Sequence, residues 1–490
     1  MEEASNKNIE FPKKFKLVSY YEKEWENSKK LLINLKSFCI NEKNSIKFKF
    51  QELSTLIQNF QKIHRLGQYE GISYNYYSSQ NCKNLKEAIN SYFKDNELVF
   101  YSKVLPFIID QAILLEERAK NKYNEQTLPL MPSKIQKKEF FPKILFLSII
   151  ANNFFCNHKD FISQLNLEQK KLTKLIEWNT VDWFKIYNCI ITTYDRVAIE
   201  RIICLIAYFD FAYKIIELKN NNYFEKDIII ERIIFDPNEI NNKLLECENK
   251  FEENNINIHI KDMDNPEILT QSIVNFANRN FQTGQILASA TQEEVLFCVR
   301  PELYSAMFIC QRVYENEIII ISNAYKLMEN TGYLETFKFQ KLKENIILDN
   351  NEIKDNENVL CLDATFKEHY LFKSVIQDIS KFYIACNYCS KKYENAGIST
   401  GSWWCGAFWC DKAHKFLQQL ICSKANNVKL SYSTFGNQQY YNSLIKLLKT
   451  VIQKKPKVSD LYKLIINFKG DYDGEFHDYL KKELGDEFYM

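Results

Sequence analysis

Asn275-Phe276-Ala277-Asn278-Arg279, then Gln282-Thr283-Gly284, then Gln292-Glu293-Glu294, closing on Pro301-Glu302-Leu303: this run decides how the chain is read. A Gln-Glu-Glu triplet alone is ordinarily a solvated helix turn. The ordered set of carboxamides, glycine, paired carboxylates and proline-led close is far more specific. On either side of it the texture of the chain differs. Upstream, to about residue 220, the pattern is helical: in 104–118 the apolar positions Leu105, Ile108, Ile109, Ala112 and Leu115 follow helical spacing. Residues 53–60, 144–155 and 201–216 are further apolar helical segments. Leu128-Pro129-Leu130-Met131-Pro132 separates helices, because proline disfavours α geometry in the residue before it. From about 227, short β-branched runs appear at 228–235, 256–260, 317–322, 359–363, 379–385 and 428–434, with helical patterns such as 440–451 between or after them. That alternation predicts an α/β layered domain. The Asn/Asp/Glu-rich residues 345–358 read as a surface loop, and there is no internal repeat.

A chain of 490 residues is long for one core and predicts two associated domains or one large α+β unit. With Lys+Arg 64 against Asp+Glu 62, the net charge of +2 argues against a nucleic-acid or acidic-membrane binder held by bulk charge. No direct DNA binding and no membrane partner are expected, since no apolar run reaches the ~18 residues a membrane helix needs. The start, Met1-Glu2-Glu3-Ala4-Ser5, lacks the pattern of a signal peptide, and the 14 cysteines follow no disulfide spacing. Reduced thiols in a cytoplasmic or nuclear compartment are the expectation. Glycine is the informative count: 11 are present, where average usage of ~7% gives roughly 34. Most lie after position 280 (Gly284, Gly332, Gly397, Gly401, Gly406, Gly436, Gly470, Gly474 and Gly485), so loop-borne function is sought there.

The opening run resembles the signature of the poly(ADP-ribose) glycohydrolases: phenylalanine-alanine-asparagine, a triple-glycine loop, a glutamine with two glutamates, then proline-glutamate-leucine. The resemblance continues in order. Thr331-Gly332-Tyr333-Leu334-Glu335-Thr336 resembles the segment whose tyrosine stacks on adenine, and Leu362-Asp363-Ala364 the end of a core strand. Ser399-Thr400-Gly401-Ser402-Trp403-Trp404-Cys405-Gly406-Ala407-Phe408-Trp409-Cys410-Asp411 is similar to the loop that wraps the diphosphate, and Ser433-Thr434-Phe435-Gly436-Asn437 to the strand end that closes the adenine side. Asp460-Leu461-Tyr462-Lys463-Leu464 resembles the closing helix; Leu128-Pro129-Leu130 and Ala151-Asn152-Asn153-Phe154-Phe155-Cys156 carry it into the helical half. The implied fold is α+β or α/β: a helical accessory region, 1–220, packed on a macrodomain, 221–490, with a mixed sheet flanked by helices.

The resemblance implies cleavage of the ribose–ribose O-glycosidic bond through an oxocarbenium-like transition state. Glu294 takes the general acid–base role, Glu293 holds ribose hydroxyls, Asn278 fixes the distal ribose and Phe408 presses on it. Glycine-loop amides around Gly284 and Gly406, with a helix N-terminus, receive the diphosphate. Tyr333 and Phe435 sandwich the adenine; Gln292 and Asn275 complete the ligand-binding set. No cofactor is implied, and the implied partner is poly(ADP-ribose) or ADP-ribose.

The sequence departs from that pattern. The triple glycine is reduced to Gln282-Thr283-Gly284, the aspartate before the phenylalanine is Asn275, and the diphosphate-loop asparagine is Ser402. Three glycines of that loop have become Trp404, Trp409 and Cys410. Lost donors to a diphosphate remove charge-assisted bonds of ~1.5–3 kcal/mol each, so three amount to roughly a thousand-fold or more. The leading expectation is therefore a family member with a degenerate site, low in activity or inactive, acting as a scaffold for protein partners in a larger assembly, a cytoskeletal or ciliary one being conceivable. An active exo-glycohydrolase using Glu294 and a non-cleaving ADP-ribose reader are the alternatives. Cys386, Cys389, Cys405 and Cys410 have a spacing that suggests zinc, but buried thiols are the favoured reading. The six histidines are dispersed, and no nucleophile elbow or phosphate-loop motif is present. Trp403, Trp404 and Trp409 also offer a partner-contact patch.

Overall fold

A computed structural model describes residues 12–64, 81–158, 164, 183–189, 195–218, 222–251, 255–265, 267, 270–280, 290–343, 358–403, 405, 410–470 and 473–485. The helical half contains α1 (Glu22–Ile40), α2 (Ile46–His64), α3 (Lys83–Phe93), α4 (Leu105–Ile113), α5 (Leu115–Tyr123), α6 (Lys143–Phe154) and α7 (Asp195–Leu218). The continuous 104–118 pattern is interrupted at Leu114, whose N–H still reaches the Asp110 carbonyl at 3.1 Å before α5 begins. No single described helix is long and apolar enough to cross a membrane.

The helical half is not purely helical. β1 (Lys14–Lys16) pairs with β2 (Thr127–Pro129), and β3 (Lys137–Pro142) joins the main sheet. That sheet also takes β4 (Asp227–Ile234), β5 (Ile256–His259), β6 (Ser272–Phe276), β7 (Glu317–Ser322), β10 (Asn358–Leu362), β11 (Gly397–Gly401) and β12 (Lys429–Ser433); β8 (Met328–Thr331) and β9 (Lys338–Leu342) form a separate hairpin. The order is β3-β4-β7-β10-β6-β11-β12-β5. From β10 to β5 all pairs are parallel, and from β3 to β10 all are antiparallel. Every residue of β7, β10 and β11 is buried, as strands covered on both faces require.

The second half adds α8 (Pro237–Leu245), α9 (Gln292–Val299), α10 (Phe372–Lys392), α11 (Lys412–Ala425), α12 (Gln438–Lys454), α13 (Val458–Asn467) and α14 (Asp473–Leu484). One expectation is overturned: residues 379–385 are not a strand but the middle of α10. Val375, Ile379, Phe382, Cys386 and Cys389 are all buried, and their three- and four-residue steps are helical. The loop expected at 345–358 lies outside the described residues except for Asn358, which is buried at the start of β10.

The two halves share one apolar core. At their joint the Lys143 ammonium is buried against the Tyr223 and Tyr325 rings, 3.6 and 4.6 Å from their centroids. It lies 3.3 Å from Glu302, which also accepts the Tyr223 hydroxyl at 3.0 Å. Burial pushes Lys143 down to about 8 against the pull of Glu302. The proline-glutamate-leucine motif therefore anchors the helical half to the sheet.

Candidate functional site

The parallel strands end at a cleft of ≈ 740 Å³, the place where open α/β sheets receive ligands. Gln292 sets its geometry. Its carbonyl accepts the Phe276 N–H at 2.8 Å and its amide donates to the Val274 carbonyl at 2.8 Å, so one side chain ties α9 to the end of β6. Thr291 caps α9: its N–H donates to Glu294 Oε2 at 2.9 Å, and its hydroxyl bonds the same oxygen. This Thr-x-x-Glu capping box fixes the Glu294 carboxylate at the helix start.

Glu293 turns the other way. Its oxygens accept Asn275 Nδ2 at 3.2 Å and the Asn278 N–H at 3.3 Å. Among the described residues no cation pairs with it. Burial first, then the charge of Glu294, push Glu293 well above the usual carboxylate range; the two amide donors oppose this. Asn275 is wholly buried, and its Oδ1 has no partner. From behind, the buried Arg201 of α7 bonds Tyr304 and Cys298 and lies within electrostatic reach of Glu294, so the helical half contributes to the glutamate end.

Tyr333 and Phe435 close the far side. Their rings meet edge to face, 5.0 Å apart at 68°, so the unliganded cleft has them in contact rather than as parallel plates. The Gln292 N–H holds the Tyr333 hydroxyl, and burial raises that phenol. Gly332 precedes it at φ +74°, where a Cβ would stand 2.0 Å from the Thr336 carbonyl oxygen; only glycine fits. Phe435 adopts φ +50°, strained for a phenylalanine, and its ring is half exposed.

Ser402 lines the cleft with its side chain within interaction range of the Tyr432 and Tyr440 phenols, which bond each other at 2.9 Å. Trp403 is fully buried, donating to the Leu362 carbonyl at 3.1 Å beneath the Lys415 ammonium. The Cys405 and Cys410 sulfurs are 3.1 Å apart. Cys386 and Cys389 are buried along α10, and among the described residues no group of three or more His, Cys, Asp or Glu is arranged to hold a metal ion. Gln282, Thr283, Gly284, Trp404, Gly406, Phe408 and Trp409 lie outside the described residues.

The structure thus brings Asn278, Gln292, Glu293, Glu294, Tyr333 and Phe435 to one cleft, with Asn275 directly behind Glu293. Sequence reasoning passed over Tyr440, Lys412 and a buried charge cluster at the rim. There Arg300 grips Asp264 with bonds of 2.8 and 2.9 Å, and Lys326 approaches it at 3.2 Å. Burial opposes ionisation of Asp264, yet Arg300 and then Lys326 hold it well below the usual carboxylate range. These residues belong to no periodic pattern and carry no local signal.

A helical layer sharing its core with a mixed sheet, whose parallel strands open on a carboxylate-bearing cleft, defines a macro-fold protein with a helical accessory domain. Residues 244–442 match the family model described as poly(ADP-ribose) glycohydrolase, Macro domain fold, and 92–232 match the helical domain of the same family. The chain belongs to the poly(ADP-ribose) glycohydrolase family. It is 29% identical over 209 residues to poly(ADP-ribose) glycohydrolase 1 of Caenorhabditis elegans, covering 40% of this chain and 27% of that protein. It is 24% identical over 212 residues to poly(ADP-ribose) glycohydrolase 2 of Caenorhabditis elegans, and 25% over 243 residues to probable poly(ADP-ribose) glycohydrolase 2 of Arabidopsis thaliana. Each of these matches covers 40% of this chain, and they reach 44% and 46% of the relatives. The chain therefore spans less than half the length of these relatives.

Proposed function

We propose that the chain hydrolyses ribose–ribose O-glycosidic bonds at the ends of poly(ADP-ribose), with one ADP-ribosyl unit seated in the cleft. The observation that carries this reading is the glutamate pair on the first turn of α9, both members buried and both lining the cleft. Glu294 donates its proton to the leaving ribose oxygen as the glycosidic bond breaks. It then takes a proton from the water that adds to the anomeric carbon. Glu293 and Asn278 hold ribose hydroxyls, and the Thr291 cap keeps Glu294 in place. Tyr333 and Phe435 part from their edge-to-face contact to admit the adenine.

A second reading, a silent scaffold, draws on the sequence, where Trp404, Trp409 and Cys410 stand in the loop that resembles the diphosphate wrap, and on the two tyrosines within interaction range of Ser402. Calorimetry with ADP-ribose and chromatography of polymer digests separate the readings. Heat together with released ADP-ribose supports the hydrolase. Heat without release makes the protein a reader, and neither signal leaves the scaffold.

A further inference from the structure

We infer that Lys412 neutralises the diphosphate of the bound ADP-ribosyl unit. The inference rests on the reading that the cleft takes such a ligand. A diphosphate enters a cleft already lined by Asp262, Asp264, Glu293, Glu294 and Glu329, so it needs a cation to offset repulsion. The lining ammonium groups are Lys326, Lys343 and Lys412. Lys326 is committed to Asp264, through its carboxylate at 3.2 Å and its carbonyl at 3.1 Å, and the charge of Lys343 acts on the same carboxylate.

Lys412 differs. It is exposed at the cleft edge and has no ion pair among the described residues. Its ammonium rests over the Tyr440 ring, 5.1 Å from the centroid, while the Tyr440 hydroxyl donates to the Lys412 carbonyl at 3.3 Å. The same tyrosine engages Ser402, which places Lys412 beside the loop that resembles the diphosphate wrap.

Helix N-termini around the cleft are not open alternatives. Asp411 accepts the His414 N–H of α11 at 2.6 Å, Asn437 accepts the Tyr440 N–H of α12 at 2.9 Å, and Glu294 closes the start of α9. At each of these starts one amide is already taken by the protein's own side chain, which leaves a side-chain cation as the stronger partner for the anion among the described residues. An exposed cation–π contact is weak beside a charge-assisted bond to phosphate, and Lys412 leaves the ring when the ligand arrives.

The test titrates ADP-ribose and adenosine into wild type, Lys412→Met and Lys412→Arg. The expected result is ADP-ribose binding weakened about 10–100-fold by Lys412→Met, unchanged adenosine affinity, substantial recovery with Lys412→Arg and an unaltered melting temperature. Wild-type binding of ADP-ribose that Lys412→Met leaves intact overturns the role of Lys412 alone. Equal losses for ADP-ribose and adenosine also overturn it, because they report a damaged pocket rather than a lost charge. No binding of ADP-ribose by wild type overturns the ligand reading and this inference with it.

Discussion

Glu302 and Glu293 are buried glutamates of the same stretch, and burial raises both above the ordinary carboxylate range, yet their surroundings are opposite. Glu302 sits at the joint between the halves with a buried ammonium at 3.3 Å and a phenol at 3.0 Å. Glu293 sits at the cleft with carboxamide and backbone donors, a second glutamate beside it and no cation paired among the described residues. A carboxylate that holds a structure together is given a counter-charge. One that is costly to ionise, without a paired cation and in a cleft is a candidate functional residue. The contrast separates a motif residue that anchors the fold from one that lines the cleft, although both occur in one run of sequence.

The largest expected effect lies at the cleft. Glu294→Gln should lower the initial rate of ADP-ribose release by about 10²–10⁴-fold, the usual worth of a general acid–base group. At the joint, Glu302→Ala should cost about 3–5 kcal/mol in denaturant unfolding, because it leaves the Lys143 ammonium buried without its partner. Equal stability of that variant would erase the distinction between the two glutamates. Tyr333→Ala should weaken ADP-ribose by about 1–3 kcal/mol, the worth of a base stacked on an aromatic ring, with little change in unfolding.

The smallest effect is a gain. A raised Glu293 favours folding while it is protonated, and this contribution fades as pH rises from the unfolded carboxylate range towards its folded value. Glu293→Gln should therefore match wild type near pH 4 and melt higher at pH 8, by on the order of 2–4 °C for each kcal/mol recovered. Asn275 can turn its unpartnered Oδ1 towards the new amide. A variant that melts lower at pH 8 would show that the Glu293 charge is stabilised after all.

Much of this is legible in the sequence. β-branched runs located β4, β5, β7, β10 and β12, and ordered motifs brought the cleft residues together. Two strands of the parallel half escaped. Gly397–Gly401 is short and rich in small or polar residues, the apolar run of Ser272–Phe276 is only Ile273-Val274 before Asn275, and both become strands because both neighbours supply a ladder. The 379–385 run misled in the opposite direction: its β-branched and aromatic residues occupy α10 because one helical face is buried under the sheet. Lys412 and the Asp264–Arg300 pair were invisible because their meaning lies in partners remote in sequence. The substitutions expected to damage the diphosphate loop, Trp404 and Trp409, lie outside the described residues.

The most direct test of the account asks whether Glu294 acts on the reaction rather than on the fold or on binding. It measures ADP-ribose affinity and single-turnover release from polymer, with enzyme in excess, for wild type and Glu294→Gln. The account predicts release by wild type, affinities within about threefold of each other, and a rate for the variant at least about a hundred-fold lower. Release by the variant at the wild-type rate, or none by wild type under these conditions, would contradict it.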